Sequence, residues 1–126
     1  MFQRHLESEL LAAAVHMPVV TVMGPRQSGK TTLVRETFGE TKRYVSLERP
    51  DTRAEALEDP RAFLNGLAEG AILDEVQRAP ALLSYIQGIV DEDGRPGRFI
   101  LTGSQNLLLM ESVSQTLAGR TALLQL

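Results

Sequence analysis

Apolar residues in this chain come in short unbroken runs, and polar, chemistry-bearing residues gather just after them. The clearest run is Val19-Val20-Thr21-Val22-Met23, bounded by Pro18 and Gly24. A β-branched run of that kind predicts a strand buried on both faces, as in parallel sheets. Tyr44 to Leu47, Ala71 to Leu73, Phe99 to Leu101 and Ala122 to Leu126 predict four more strands. Between the runs the spacing turns helical. Leu6, Leu10, Ala13 and Ala14 predict a helix over 4–16, stopped by Pro18. Lys30 to Phe38 predicts a second, closed by Gly39 as a C-terminal glycine just past the helix. Asp59-Pro60 is an acidic cap followed by proline at the first helical position, and that helix should end near Gly66. Pro80 opens another, with Leu82, Leu83, Ile86, Ile89 and Val90 as its apolar face. Residues 106–118 read as helical, restarting at a capping-box pattern, Ser112-x-x-Gln115, and closing at Gly119.

Strands alternating with helices imply an α/β fold with a parallel sheet and right-handed crossovers. Ligands of such sheets bind at the carboxyl ends of the strands. The polar residues that stand out here, Gly24 to Thr31, Glu48, Asp74-Glu75 and Ser104-Gln105, all follow predicted strand ends.

Composition narrows the class. With 126 residues the chain fits one domain, and a hydrophobic content of 43% supports a packed core. The net charge of −3 gives no general basic footprint for nucleic acid. There is no cysteine, so disulfides and thiolate metal sites are excluded, which fits a reducing cytoplasm. The most apolar stretch, Leu10 to Met23, is broken by His16 and Pro18 and is too short to span a bilayer. His5 and His16 lack ligand-like spacing, and Arg53, Glu58 and Arg61 read as solvated helix charges.

Gly24-Pro25-Arg26-Gln27-Ser28-Gly29-Lys30-Thr31 fits the phosphate-binding pattern G-x-x-x-x-G-K-[ST] at every fixed position. A glycine-rich turn lets backbone N–H groups converge on one concavity, and the helix that follows adds the positive end of its dipole. In that pattern Lys30 reaches the β- and γ-phosphates and the Thr31 hydroxyl holds Mg²⁺. Ala71-Ile72-Leu73 then runs into Asp74-Glu75. Asp74 suits a role on Mg²⁺, which takes hard oxygen ligands and keeps several waters. Glu75 suits a general base or water-orienting role beside the γ-phosphate. Together these sharpen "phosphate" to ATP with Mg²⁺.

Other positions stay open. Gln105, Ser104 and Thr102 compete as the polar residue that senses the γ-phosphate, with packing the default for Thr102 and helix capping the alternative for the other two. Arg120, just before the last strand, is either a finger acting in trans on a neighbour's nucleotide or a cation complementing a helix C-terminus. Arg26 is either a surface charge or a phosphate or partner contact.

Asp74-Glu75-Val76-Gln77-Arg78-Ala79-Pro80, with Gly24-Pro25-Arg26, Phe99-Ile100-Leu101-Thr102-Gly103-Ser104 and Leu117-Ala118-Gly119-Arg120, resembles the AAA-type ATPase module found at the N-terminus of many bacterial and archaeal proteins. The resemblance covers nearly the whole chain. It implies a P-loop NTPase core, a three-layer α/β/α sandwich with a parallel five-stranded sheet in the order 5-1-4-3-2. It implies ATP or ADP and Mg²⁺ held by residues 24–31 and Thr32, with Lys30 and Thr31 on phosphate and metal, Asp74 on metal, Glu75 on water and Arg120 as a finger between copies. Proteins resembling this one usually continue past the fifth strand into a larger C-terminal domain, so a fragment ending at Leu126 before a helical lid is expected. Residues 1–17 would form an N-terminal helix and residues 18–126 the nucleotide-binding core.

The leading expectation is therefore Mg²⁺-dependent ATP binding with slow hydrolysis. A P-loop small-molecule kinase is the first alternative, although consecutive Asp74-Glu75 favours water as the acceptor. A non-hydrolysing, nucleotide-gated interaction module is the second. A GTPase is disfavoured because no Asn-Lys-x-Asp segment occurs.

Overall fold

Strand β1, Val19–Gly24, sits at the middle of the chemistry and is buried along its whole length. The computed structural model describes residues 2–25, 29–67, 69–104 and 107–126. In chain order its elements are α1 (Phe2–His16), β1, α2 (Lys30–Phe38), β2 (Arg43–Ser46), α3 (Pro50–Glu58), α4 (Pro60–Asn65), β3 (Ala71–Asp74), α5 (Leu82–Glu92), β4 (Phe99–Ser104), α6 (Leu107–Thr116) and β5 (Thr121–Gln125). A 3-10 turn, Val76–Arg78, links β3 to α5. The strands form one parallel sheet in the order β2-β3-β4-β1-β5, the expected order read from the other edge.

Period-two alternation along the strands divides the core. Val20, Val22, Ile72 and Ile100 meet Leu10 of α1 and Leu33, Val34 and Phe38 of α2 on one face. Val19, Met23, Leu73, Phe99 and Leu101 meet Ala56, Leu64, Leu82, Leu83, Ile86, Leu109 and Val113 of α3 to α6 on the other. Both faces are covered, which is why the strands read as continuous apolar runs and not as alternating ones.

Local signals account for most boundaries. Asp59 caps α4 by accepting the Ala62 N–H at 3.1 Å, and Pro60 occupies the first turn. Other boundaries differ from the sequence reading. Gly39 ends α2 in right-handed geometry, φ −63°, and not as a left-handed glycine. Helix α3 carries little apolar patterning, with Ala56 its buried residue, and was not separately predicted. Pro80 precedes α5 in a turn instead of opening it. Helix α6 runs through Ser112 without a restart. Strand β4 extends to Ser104, so Thr102 lies inside it.

Candidate functional site

The register places the carboxyl ends of three neighbouring strands together. Gly24 pairs with Ser104 across β1 and β4, and Leu73 pairs with Leu101 across β3 and β4. A crevice at such strand ends is where open α/β sheets hold ligands.

Gly29 caps α2 with φ 86°, a left-handed conformation that a side chain would strain. A Cβ there would meet nothing within 4 Å, so the turn faces open space at the helix N-terminus. Gly29, Lys30, Thr31 and Thr32 line a cleft of about 290 Å³ beside it. Of the sequence-predicted loop residues, Gly24 is buried at the end of β1, while Pro25, Gly29 and Thr32 are exposed. Arg26, Gln27 and Ser28 lie outside the described residues, as does Gln105.

Lys30 is buried, and its Nζ lies 3.1 Å from Glu75 Oε1 and 3.5 Å from the Pro25 carbonyl. Both partners are nearly sealed, with side chains 4% and 7% exposed. Removing one partner of such a pair would leave a buried charge uncompensated, at a cost of ~3–5 kcal/mol. Glu75 takes a left-handed backbone, φ 58° and ψ 52°, unusual for a residue with a Cβ. Its N–H donates to Thr102 Oγ1 at 3.0 Å, and its carbonyl accepts the Arg78 N–H at 3.0 Å. Backbone strain of this kind persists where surroundings over-determine it, and it concentrates at functional sites.

Asp74, the last residue of β3, receives three hydroxyls. Thr31 Oγ1 donates to Oδ1 at 2.9 Å, Thr102 Oγ1 donates to the same oxygen, and Tyr44 Oη donates to Oδ2 at 2.6 Å. Burial and the Asp74 carboxylate together push the Tyr44 phenol up to about 12. Thr31 and Asp74 thus present hard oxygens side by side, a donor set that suits Mg²⁺ completed by water and phosphate. Among the described residues no group of three or more His, Cys, Asp or Glu could hold a metal by itself.

Ser104 ends β4 next to this cluster. Its N–H donates to Gln77 Oε1 at 3.2 Å, and Gln77 Nε2 donates to Ser104 Oγ at 3.2 Å and to Glu75 Oε2 at 2.9 Å. Sequence reasoning had assigned Tyr44 and Gln77 no part. Tyr44 looked like an ordinary strand residue, and Gln77 stood in the quoted Asp-Glu-x-Gln stretch without a role.

Arg120 is not brought to this cluster. Its carbonyl accepts the Val19 N–H at 3.1 Å, which places it at the opposite end of β1 from Gly24. Its guanidinium grips Asp91 through two bonds, Nε to Oδ1 at 2.6 Å and Nη2 to Oδ2 at 3.0 Å, and holds the Ala118 carbonyl at 2.8 Å. That pairing lowers the Asp91 carboxyl below its ordinary range.

Sheet order and strand-end residues define an α/β nucleotide-binding module of the P-loop type. The chain belongs to the AAA domain family, whose model matches residues 16–126. It is 36% identical over 124 residues to an uncharacterized protein of Mycobacterium tuberculosis, and equally so to one of Mycobacterium bovis. Each match takes in 98% of this chain and 28% of the relative, so the chain spans well under a third of those proteins. Among solved structures it resembles PCH-2 of C. elegans, with a TM-score of 0.54 at 16% identity, over 98% of this chain and 41% of that one. That likeness is one of fold. Among the described residues no helix is long and apolar enough to cross a membrane.

Proposed function

We propose that this module binds ATP with Mg²⁺ and hydrolyses it slowly. The observation that carries the reading is the buried Lys30–Glu75 pair beside Thr31 and Asp74, at the mouth of a left-handed glycine turn. Nucleotide entering the cleft offers Lys30 a second anionic partner. Lys30 exchanges Glu75 for the β- and γ-phosphate oxygens, and the Glu75 carboxylate is released to accept a proton from water. The water oxygen bonds to the γ-phosphorus as the bond to the β–γ bridging oxygen breaks, leaving ADP and phosphate. Magnesium held through Thr31 and Asp74 would supply charge neutralisation at the phosphates. Arg120 reaches no nucleotide of its own chain, so any finger role belongs to a neighbouring copy.

Thermal unfolding with and without ATP–Mg²⁺ tests the reading. Saturating nucleotide at about a hundred times Kd should add ~2.7 kcal/mol of stability to the wild type. Lys30→Ala should start from a lower Tm, because Glu75 loses its partner, and should show no nucleotide-dependent rise. Glu75→Gln should bind ATP more tightly than wild type, since Lys30 no longer has a competing carboxylate, and should lose turnover. A wild-type protein indifferent to millimolar ATP and ADP would sink the binding claim, and unchanged turnover in Glu75→Gln would remove Glu75 from the mechanism.

A further inference from the structure

The 3-10 turn after β3 places one half-buried amide between Glu75, which the hydrolytic reading uses, and Ser104, one of the candidates to sense the γ-phosphate. Both Gln77 donors are taken, one by Glu75 Oε2 at 2.9 Å and one by Ser104 Oγ at 3.2 Å. Its carbonyl accepts the Ser104 N–H at 3.2 Å. A backbone N–H can only donate, so Oε1 must face it, and this fixes which way round the amide lies. The fold makes room for this approach. A Cβ on Gly103 would sit 3.2 Å from Gln77 Oε1 and 2.5 Å from Leu109 Cδ2.

The arrangement has two chemical effects. The Glu75 oxygens are held differently, Oε1 by Lys30 and Oε2 by Gln77. When Lys30 turns to phosphate, Oε1 is freed and Oε2 stays anchored, which makes Oε1 the atom that takes the proton. Ser104 Oγ accepts from Gln77, so its own hydrogen is directed elsewhere and is available to a phosphate oxygen. We propose that Gln77 is a positioning residue that ties Ser104 to Glu75, setting the group that meets the γ-phosphate and the group that activates water in one frame. The inference rests on the ATP-hydrolysis reading and adds to it a residue outside the phosphate loop and the acidic pair.

The test compares wild type with Gln77→Met, Ser104→Ala and the double variant. Methionine keeps the length of the side chain and removes every hydrogen bond. Gln77→Met should keep its ATP affinity within about twofold while kcat falls ten- to a hundredfold, roughly the cost of misplacing a reacting group by an ångström. The double variant should be no slower than the slower single, because the two side chains act as a unit. A second measurement needs neither turnover nor that variant. The Gln77 side-chain amide resonance should differ between ADP–Mg²⁺ and a non-hydrolysable ATP analogue with Mg²⁺, and Ser104→Ala should abolish the difference. Gln77→Met at wild-type kcat, or an amide resonance blind to the γ-phosphate in a protein that binds both nucleotides, overturns the inference alone. A wild type that binds neither nucleotide overturns the hydrolytic reading and this inference together.

Discussion

Asp74 is the most heavily donated-to side chain of the site, and its surroundings make a pH-dependent signature. Tyr44 Oη–H donates a hydrogen bond to Asp74 Oδ2, so the neutral phenol is the form that the folded chain favours. Its ordinary value is 10.0, and burial first, then the Asp74 hydrogen bond and charge, raise it to about 12. Between those values the folded chain retains a proton that the unfolded chain has lost. The associated stability is therefore complete below pH 10 and disappears as pH rises through about 12. In a Tyr85→Phe background, where Tyr44 is the one remaining tyrosine, phenolate absorbance should report a midpoint near 12 while the fold persists. Adding Asp74→Asn should lower that midpoint without returning it fully to 10.0, because burial remains the larger cause. An unmoved midpoint would show that Tyr44 does not feel the carboxylate.

At the scale of elements, the site depends on how tightly the turn after β3 and helix α6 press on the end of β4. Gly103 is the point of contact. Alanine there would put its Cβ 2.5 Å from Leu109 Cδ2, in a buried layer with little freedom to move. Overpacking of this kind costs ~1–3 kcal/mol. Denaturant unfolding of Gly103→Ala should show a loss in that range with an unchanged m-value, and a wild-type midpoint would mean that α6 yields freely. The same region shows why the sequence was only partly legible. Apolar runs and the phosphate-loop spacing are local signals, so the strands, their order through the family resemblance, and the placing of Lys30, Thr31, Asp74 and Glu75 at the carboxyl end of the sheet could be read directly. Tyr44 meets Asp74, and Gln77 meets Ser104, through register between strands and across the following turn, which no local pattern encodes. Packing is the default for Thr102 because the sequence puts it within or just at the end of the fourth strand, and β4 does contain it. It is buried as expected, and its hydroxyl serves both the Asp74 carboxylate and the Glu75 N–H. Helix α3 buries little more than Ala56, so no apolar face marks its bounds in the sequence.

At the scale of the whole molecule, the two ends of the sheet carry different chemistry. Lys30, Asp74, Glu75 and Ser104 gather at the carboxyl ends of β1, β3 and β4, and Arg120 sits beside Val19 at the other end. Five residue steps along β1 at ~3.3 Å each put roughly 17 Å between the two ends, far beyond the reach of one arginine. Its two-bond grip on Asp91 is exposed to solvent, so little energy opposes its release to a stronger anionic partner. On the trans-finger reading, turnover per chain should then rise with protein concentration as copies meet. Arg120→Ala should bind ATP like wild type yet show a flat dependence on concentration. Mixing Arg120→Ala with Lys30→Ala should recover part of the lost activity, because in a mixed assembly an intact arginine can face an intact nucleotide site. Asp91→Ala separates this from a purely structural role. It frees the guanidinium without removing it, so it should preserve the concentration dependence, whereas a merely structural Arg120–Asp91 pair would make the two single variants behave alike.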